Sequence, residues 1–262
     1  MSSVFDFTHA IVRAPAASAV DGLRADTTAV PDIAILRDEH SAYVGALRTT
    51  GLAVDVLPAL ESFPDSMFVE DPALVFAEGA ILLRPGAPSR AGEVSEIAPA
   101  LQRYFETVLE LDSGDVDGGD VLVTPEFVFI GLSARTNLKG AQSLSRKLAE
   151  LGRKSRIVDA PRTVLHLKTA SSLVRENTVL VTQAMADTGT FGSFEQVITA
   201  DGEEAAANAL RLNDTVLVGD SYPRTIELLE RKGLNVKALP VTEVAKLDAG
   251  LSCMSLRWSA KT

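Results

Sequence analysis

Residues 117–130 read Asp-Gly-Gly-Asp-Val-Leu-Val-Thr-Pro-Glu-Phe-Val-Phe-Ile, which is two short apolar runs joined by a turn. Both runs consist of β-branched, aromatic and leucine residues, which favours strands, and Thr-Pro-Glu between them is typical of a hairpin turn. Pairs of this kind recur along the chain, and stretches with apolar residues three and four positions apart lie between them. The repeating unit is therefore a helix, a short strand and a hairpin.

Five such pairs are predicted along the chain. They are 73–76 with 80–83, 121–123 with 127–130, 170–174 with 178–181, 207–212 with 215–218, and 254–258 closed by the N-terminal segment 9–13. Apolar spacing predicts helices over 32–50, 89–105, 137–151 and 223–232. A short strand is expected after each helix, as at 52–57 and 234–239.

The residues that open these hairpins are regularly spaced. They are Asp71, Asp120, Lys168, Asn208 and Cys253, and their residue numbers differ successively by 49, 48, 40 and 45. In a propeller, the innermost strands present their first residues at one mouth of a central channel. The predicted fold class is therefore α/β, a five-bladed pseudo-symmetric α/β propeller of helix–strand–hairpin units around a central channel. The alternative is a mixed α+β domain whose ordinary hairpins share this spacing by coincidence.

Composition narrows the classes of protein to consider. With 35 acidic and 25 basic residues the formal charge is −10, and the most basic stretch, 153–156, is short, so nucleic-acid binding is not expected. Hydrophobic residues make up 46% and charged residues 23%, which excludes a disordered chain. No apolar run reaches the roughly 18 residues of a membrane helix, and the start is not typical of a signal peptide. We expect a cytoplasmic protein with a single domain over residues 1–262.

Acidic, imidazole and thiol side chains gather at the predicted mouth of the channel. They are Asp65, Glu70, Asp71, Asp117, Asp120, His166 and Cys253, the only cysteine. A thiolate that attacks carbon, a histidine that transfers protons and a carboxylate that orients the histidine together perform covalent hydrolysis. Several carboxylates near one cysteine indicate a cationic substrate, such as a guanidinium, which pairs with carboxylates in a bidentate way. Structural interpretations stay open: a buried small thiol, a core histidine and an Asp-Gly turn.

Two arginines follow the second strand of a hairpin at equivalent positions. They are Arg84 in the first unit and Arg135 in the second. Two guanidinium groups placed alike can bind one carboxylate, so we expect a substrate with a cationic head and an anionic tail, as in arginine. Arg90 is instead predicted to be a surface charge at the start of a helix.

An ordered set of six motifs spans nearly the whole chain. They are Phe68-Val-Glu-Asp-Pro72, Arg84-Pro-Gly-Ala-Pro-Ser-Arg90, Asp117-Gly-Gly-Asp120, Gly131-Leu-Ser-Ala-Arg-Thr-Asn137, Leu165-His-Leu-Lys168 and Asp248-Ala-Gly-Leu-Ser-Cys253-Met-Ser. This set resembles the dimethylarginine dimethylaminohydrolases, which belong to the pentein superfamily of guanidino-modifying five-bladed propellers. The resemblance implies hydrolysis of asymmetric dimethylarginine or monomethylarginine to citrulline plus dimethylamine or methylamine, through a covalent thiouronium on cysteine. It implies no metal or organic cofactor, a small guanidino amino acid as the partner, and it leaves a homodimer open.

The same resemblance implies roles for the residues of the reaction. It makes Cys253 the nucleophile, His166 the general acid and base, and Asp117 the carboxylate that orients His166. It places Asp71 against the substrate guanidinium. Cys253 is expected to become a thiolate when the cationic substrate binds, because neighbouring carboxylates oppose a low thiol pKa in the free enzyme.

Further residues are implied to bind the amino acid part of the substrate. Asp65 would pair with the α-amino group, and Arg84 and Arg135 with the α-carboxylate. Three residues would line the pocket through backbone groups, namely Ala19, Glu70 and Leu247. The family's lid usually offers leucine where Ala19 stands, so we expect easier access of water and an incomplete exclusion of unmethylated arginine.

Other functions remain open on the sequence. An arginine deiminase, or a hydrolase of citrulline or another ureido compound, could use the same scaffold, although deiminases usually carry an added helical domain. A non-catalytic arginine-binding module is disfavoured by the joint presence of Cys253, His166 and Asp117. A zinc enzyme is disfavoured because the three histidines, at positions 9, 40 and 166, have no metal-type spacing.

Overall fold

The computed structural model describes residues 4–260, which form five three-stranded sheets. The strands are β1 (His9–Arg13), β2 (Ala53–Leu57), β3 (Ala73–Phe76), β4 (Gly79–Leu82), β5 (Val108–Glu110), β6 (Val121–Val123), β7 (Val128–Leu132), β8 (Ser155–Asp159), β9 (Ser171–Arg175), β10 (Thr178–Val181), β11 (Glu195–Ile198), β12 (Leu210–Leu212), β13 (Thr215–Gly219), β14 (Asn235–Leu239) and β15 (Leu256–Trp258). The sheet orders are β3-β4-β5, β6-β7-β8, β9-β10-β11, β12-β13-β14 and β15-β1-β2.

Every sheet is built in the same way. Its first two strands pair antiparallel, and its third strand pairs parallel with the middle one, as β3, β4 and β5 do. The last sheet joins the two ends of the chain, because β15 pairs antiparallel with β1. The five-unit α/β propeller predicted from the period is confirmed, including its closure by the N-terminal strand.

Within residues 4–260 each sheet has one helix between its middle and outer strands, because a parallel pair needs a long crossover, and one more short helix, α6 (Thr242–Ala245), connects β14 to the segment before β15. They are α1 (Ile33–Thr49), α2 (Glu93–Gln102), α3 (Leu138–Glu150), α4 (Gln183–Ala186), α5 (Pro223–Arg231) and α6 (Thr242–Ala245). Asp32 and Asn137 cap α1 and α3 through side-chain oxygens that accept backbone N–H groups of the first turn. All four predicted helices are present. Within residues 4–260, no helix combines the length and apolarity needed to cross a bilayer.

The apolar core is divided among clusters that hold each sheet against a helix or a neighbouring sheet. One cluster contains Leu36, Tyr43 and Leu47 of α1, together with Leu217 of β13 and Met254. Each fully buried side chain of this size contributes about 1.5–3 kcal/mol. The packing therefore fixes the blades relative to one another, and with them the segments that lead into the inner strands.

The segments that lead into four of the inner strands are short 3-10 turns. The sequence predicts that the strands themselves begin at or near these residues. The turns are Gly118–Asp120, Leu167–Thr169, Glu204–Ala207 and Leu251–Met254, so the following strands begin later than predicted, at 171, 210 and 256. The chains are crowded here, since a Cβ at Gly118 would lie 1.9 Å from the carbonyl oxygen of Glu70. Turns of this kind direct side chains from separate blades toward one place.

Candidate active site

His166 and Asp117 occupy equivalent places in neighbouring blades, each directly before its 3-10 turn. His166 Nε2 lies 3.0 Å from Asp117 Oδ2, and both residues are buried. Gly119 leaves room for the imidazole, because a Cβ there would lie 2.5 Å from His166 Nδ1. A carboxylate that holds one ring nitrogen fixes the orientation of the imidazole, as a general acid and base requires.

The surrounding carboxylates favour the protonated imidazole. Burial by itself lowers the pKa of His166, but the negative charges of Asp71, Asp117 and Asp120 outweigh burial and raise the pKa above its ordinary value. Asp120 is held in place, since its Oδ1 accepts a hydrogen bond from the Leu167 backbone N–H at 2.9 Å. The resting histidine is therefore suited to donate a proton.

Arg90 is buried beside Asp71, so the prediction that it is a surface charge was wrong. Its Nη1 pairs with Asp71 Oδ2, and its Nε and Nη2 pair with Glu93. The other oxygen of Asp71 accepts the Gly119 N–H at 2.9 Å. Burial raises the pKa of Asp71, but Arg90 and His166 outweigh burial, and the pKa lies below its ordinary value. Asp71 is thus a carboxylate whose charge and position are fixed.

The two arginines expected to bind a carboxylate are placed differently. Arg135 is half-buried, with its Nη1 3.8 Å from Asp117 Oδ2. Arg84 is exposed, and within residues 4–260 its side chain makes no hydrogen bond or ion pair. Its segment meets the site through the backbone instead, since the Gly86 N–H donates to Asp117 Oδ1 at 2.7 Å. Besides Arg135, the arginine that lies among the buried carboxylates is Arg90, and not Arg84 as the sequence suggested.

Cys253 lies in the turn Leu251–Met254 and is partly exposed. Burial of the thiol, with the charges of Glu70 and Asp71, raises the pKa of Cys253 to about 11. A hydrogen bond from Asn208 Nδ2 to the sulfur, 3.6 Å long, acts in the opposite direction. Cys253 is therefore a thiol at neutral pH, and a cation placed near Asp71 would favour the thiolate.

Asn208 is a site residue to which the sequence assigned no role. Besides its contact with the sulfur of Cys253, its Oδ1 accepts the Ser252 N–H at 3.1 Å. The available signal was its place in the period, because Asn208 opens the fourth hairpin as Cys253 opens the fifth. One amide side chain therefore positions the cysteine segment and donates to its sulfur.

Glu70 contacts the segment that contains Cys253 through both its backbone and its side chain. Its backbone N–H donates to the Cys253 carbonyl at 3.2 Å. Its carboxylate contacts Lys168 Nζ at 2.6 Å, Ser252 Oγ at 3.1 Å and Arg257 Nη2 at 3.4 Å. The Glu70 backbone thus adjoins the cysteine, while its carboxylate is neutralised by two cations.

The segment that contains Ala19 lies beside Asp65, one of the predicted site residues. Asp65 Oδ1 accepts the Leu23 N–H at 3.0 Å, and burial raises the pKa of Asp65. Ala19 lies in the turn Ala17–Asp21 and is 0% exposed, in a cluster that also contains Leu247. The Ala19 side chain itself is buried, and easier access of water to a bound substrate stays a prediction.

Three of these side chains have metal-ligand atoms close together. Oxygens of Asp71 and Asp117 and a nitrogen of His166 lie within 4.8 Å of one another. These groups would be the donors for a bound ion. Arg90 already occupies Asp71 Oδ2, so this oxygen is not free to ligate a metal ion.

The chain is similar to known proteins over most of its length. Residues 59–207 match a family model described as arginine deiminase. The chain is 38% identical over 254 residues to the N(G),N(G)-dimethylarginine dimethylaminohydrolase of Pseudomonas aeruginosa, covering 96% of this chain and 100% of that protein. It is 32% identical to the enzyme of the same name from Streptomyces coelicolor over 251 residues, covering 95% and 96%.

Solved structures are also similar over almost the full length. A cysteine-to-serine variant of the Pseudomonas aeruginosa protein in complex with citrulline superposes with a TM-score of 0.93 at 38% identity, covering 97% of this chain and 100% of that chain. The N-terminal domain of ArgZ, a cyanobacterial arginine dihydrolase, gives a TM-score of 0.85 at 19% identity, covering 96% and 97%. The second similarity shows a shared fold.

Proposed function

The chain belongs to the dimethylarginine dimethylaminohydrolase family, and from this premise we propose that it hydrolyses asymmetric dimethylarginine or monomethylarginine to citrulline plus dimethylamine or methylamine. The observation that carries the proposal is the His166–Asp117 contact at 3.0 Å, next to an Asp71 carboxylate whose charge also acts on Cys253. These are the proton-transfer group, the guanidinium acceptor and the nucleophile of the proposed reaction.

Substrate binding prepares the nucleophile in this proposal. The guanidinium is attracted to Asp71, which Arg90 and Gly119 hold in place. Its positive charge offsets the carboxylates that raise the pKa of Cys253, so thiolate forms when substrate is bound. Asp65 is the proposed partner of the α-amino group.

Arg135 is the proposed partner of the α-carboxylate. It is half-buried and adjoins Asp117, so it can reach an anion in the site. Arg84, exposed on the surface, has less geometric support for the role that the sequence suggested. Ala19 and Leu247 belong to one apolar cluster, and the proposal keeps for both the role of lining the pocket through backbone groups.

The chemistry then proceeds in two halves at the same carbon. The Cys253 thiolate adds to the guanidinium carbon and forms a C–S bond, His166 donates its proton to the methylated nitrogen, and the C–N bond breaks to release the amine. His166, now neutral, takes a proton from water, which adds to the thiouronium carbon. The C–S bond breaks as the added hydroxyl gives its proton to the departing sulfur, which regenerates the resting Cys253 thiol and yields the ureido group of citrulline.

The wider setting is also part of the proposal. We propose that the whole chain is one catalytic domain acting on a free amino acid in the cytoplasm, without nucleic acid or membrane. The charge of −10 supports this, because a nucleic acid or an anionic membrane surface would repel it. A homodimer is the assembly to test, by sedimentation velocity over a range of concentrations.

Product analysis tests the proposed function. The purified chain is incubated separately with asymmetric dimethylarginine, monomethylarginine, arginine and citrulline, with Cys253→Ser as the control. Citrulline and a methylamine should form from the methylated substrates. Ammonia from arginine as the main activity would indicate a deiminase, and consumption of citrulline would indicate a ureido hydrolase; either result would contradict the proposal.

A further inference from the structure

The chain between β1 and α1, residues 14–32, contains one 3-10 turn at Ala17–Asp21 and otherwise irregular backbone. We call it the N-terminal loop. Its side chains at positions 23 and 25–28 are exposed, so apolar packing holds this part of the loop only weakly. The position of the loop therefore depends on the hydrogen bonds that its backbone makes to other segments.

Carboxylates from other parts of the chain accept backbone N–H groups at four places along this loop. In loop order, Glu61 binds Ala17 and Ser18 at 3.0 Å each, Asp65 binds Leu23 at 3.0 Å, Asp248 binds Ala25 at 2.6 Å, and Glu243 binds Asp32 at 2.6 Å. Hydrogen bonds to an ionised acceptor are shorter and about twice as strong as those between neutral groups. Charged acceptors therefore fix the loop from its first turn to the start of α1.

Asp248 has a backbone conformation that few residues other than glycine adopt. Its φ is +52°, which lies in the left-handed region. Glycine would adopt this conformation without strain, so the backbone alone gives no reason for an aspartate here. The carboxylate gives one, because it binds Ala25 from a position five residues before Cys253. Asp248 thus connects the N-terminal loop to the segment that contains the cysteine.

The loop residues next to this contact lie against Asp65. A Cβ at Gly22 would lie 3.0 Å from Asp65 Oδ1 and 3.2 Å from Leu247 Cδ2. The following N–H, that of Leu23, donates to the same Oδ1 of Asp65. If the loop moved away, this oxygen would lose its donor and the carboxylate would be free to turn. The position of Ala25 is therefore linked to the orientation of Asp65.

We propose that Asp248 is a positioning residue for recognition of the α-amino end of the substrate. By binding the Ala25 N–H, Asp248 keeps the N-terminal loop against Asp65 and so orients the carboxylate that receives the ammonium group. Asp248 acts in this role through the backbone of the loop. The inference rests on the proposed function, in which Asp65 pairs with the α-amino group, whereas the contact between Asp248 and the loop does not.

Limited digestion of the full chain with trypsin measures the loop directly. Trypsin cleaves after Arg24, and the peptide bond that it breaks contains the Ala25 N–H. Asp248→Gly removes the acceptor without straining φ, so cleavage after Arg24 should become about fivefold faster, as expected for one exposed hydrogen bond to a carboxylate. Asp248→Asn keeps an oxygen acceptor, and its cleavage rate should stay within about twofold of the parent rate. Mass spectrometry identifies the fragments.

Two controls separate this contact from general loosening. Cleavage after Arg162, an exposed arginine between β8 and β9, should be equal in all variants. Asp220→Gly is the matched substitution, because Asp220 is also exposed but its carboxylate accepts the hydroxyl of the neighbouring Ser221 rather than a loop N–H. Asp220→Gly should leave cleavage after Arg24 and steady-state kinetics unaltered.

Steady-state kinetics test the role in substrate recognition. The two ligands are monomethylarginine and 5-(methylguanidino)pentanoic acid, which is monomethylarginine without its α-amino group, used as a competitor. In Asp248→Gly the KM for monomethylarginine should rise about fivefold with kcat little altered, whereas the Ki of the competitor should stay at the parent value. A general structural role would raise both constants by the same factor. Asp248→Asn should restore the parent KM.

Two results would overturn the proposal. One is equal cleavage after Arg24 in the parent and in Asp248→Gly, which would mean that Asp248 does not hold the loop. The other is an equal rise of KM for monomethylarginine and of Ki for the competitor. A parent without activity on methylated arginines would refute the proposed function and with it the α-amino role, while the digestion would still decide the contact. If circular dichroism shows that Asp248→Gly is unfolded, Asp248→Ala, which also lacks the acceptor, decides the outcome.

Discussion

Replacement of Asn208 tests how the structure activates Cys253. Asn208→Ala removes the side-chain donor that lies 3.6 Å from the sulfur. A hydrogen bond to a charged group contributes about 1.5–3 kcal/mol, and this long contact belongs at or below the lower end, so the thiol pKa should rise by about 1 unit. One unit lowers the thiolate fraction about tenfold. The remaining thiolate is about threefold more nucleophilic, so alkylation at a fixed pH below the pKa should slow about threefold.

The assay is the second-order rate of inactivation by iodoacetamide between pH 7 and pH 10, without substrate. Asn208→Asp is the informative comparison, because a carboxylate still accepts the Ser252 N–H but replaces the donor to sulfur with a negative charge. If Asn208 acts as a donor, the aspartate variant should be slower than the alanine variant at every pH. If the alanine variant is alkylated as fast as the parent between pH 7 and pH 10, the Asn208 amide does not lower the thiol pKa, which would refute the reasoning.

Four other predictions follow from the same geometry. Cys253→Ser should abolish turnover while the circular dichroism spectrum stays native, since it removes the nucleophile but little volume; substantial remaining activity would exclude a covalent cysteine mechanism. Arg135→Ala should chiefly raise KM for methylated arginines in steady-state kinetics, and Arg84→Ala, at an exposed position, should raise KM less. A larger rise in KM for Arg84→Ala than for Arg135→Ala would contradict the placement of the two arginines. Gly119→Ala should lower kcat about 100-fold, because the new Cβ would lie 2.5 Å from His166 Nδ1, whereas Gly45→Ala, with no atom within 4 Å of the added Cβ, should leave kcat unaltered. Ala19→Leu should lower the free energy of unfolding by about 1–3 kcal/mol in urea titrations, because Ala19 is 0% exposed; unchanged stability with a higher preference for dimethylarginine over arginine would instead support a lid position in contact with substrate.

The repeating architecture could be predicted from the sequence because its signals are local. Alternating apolar residues and turn chemistry mark the hairpins, and the spacing within 137–151 marks a helix that the structure has at Leu138–Glu150. The period between hairpins then predicted that Asp117 and His166 lie together at one mouth of the channel. The 3.0 Å distance between His166 Nε2 and Asp117 Oδ2 agrees with that prediction. The family could also be predicted from the sequence, because the motifs that carry the resemblance are short contiguous runs of residues.

Only the tertiary structure decided which side chains face one another across blades. Arg90 has a sequence context typical of an exposed helix start, but packing of its turn against the chain near Asp65 directs it toward Asp71. The carboxylate of Glu70 is neutralised by Lys168 and Arg257, which lie about 100 and 190 positions away in sequence. A sequence pattern reports the backbone preference of a few neighbouring residues, whereas the direction and ionisation of a side chain depend on charges and volumes contributed by distant blades.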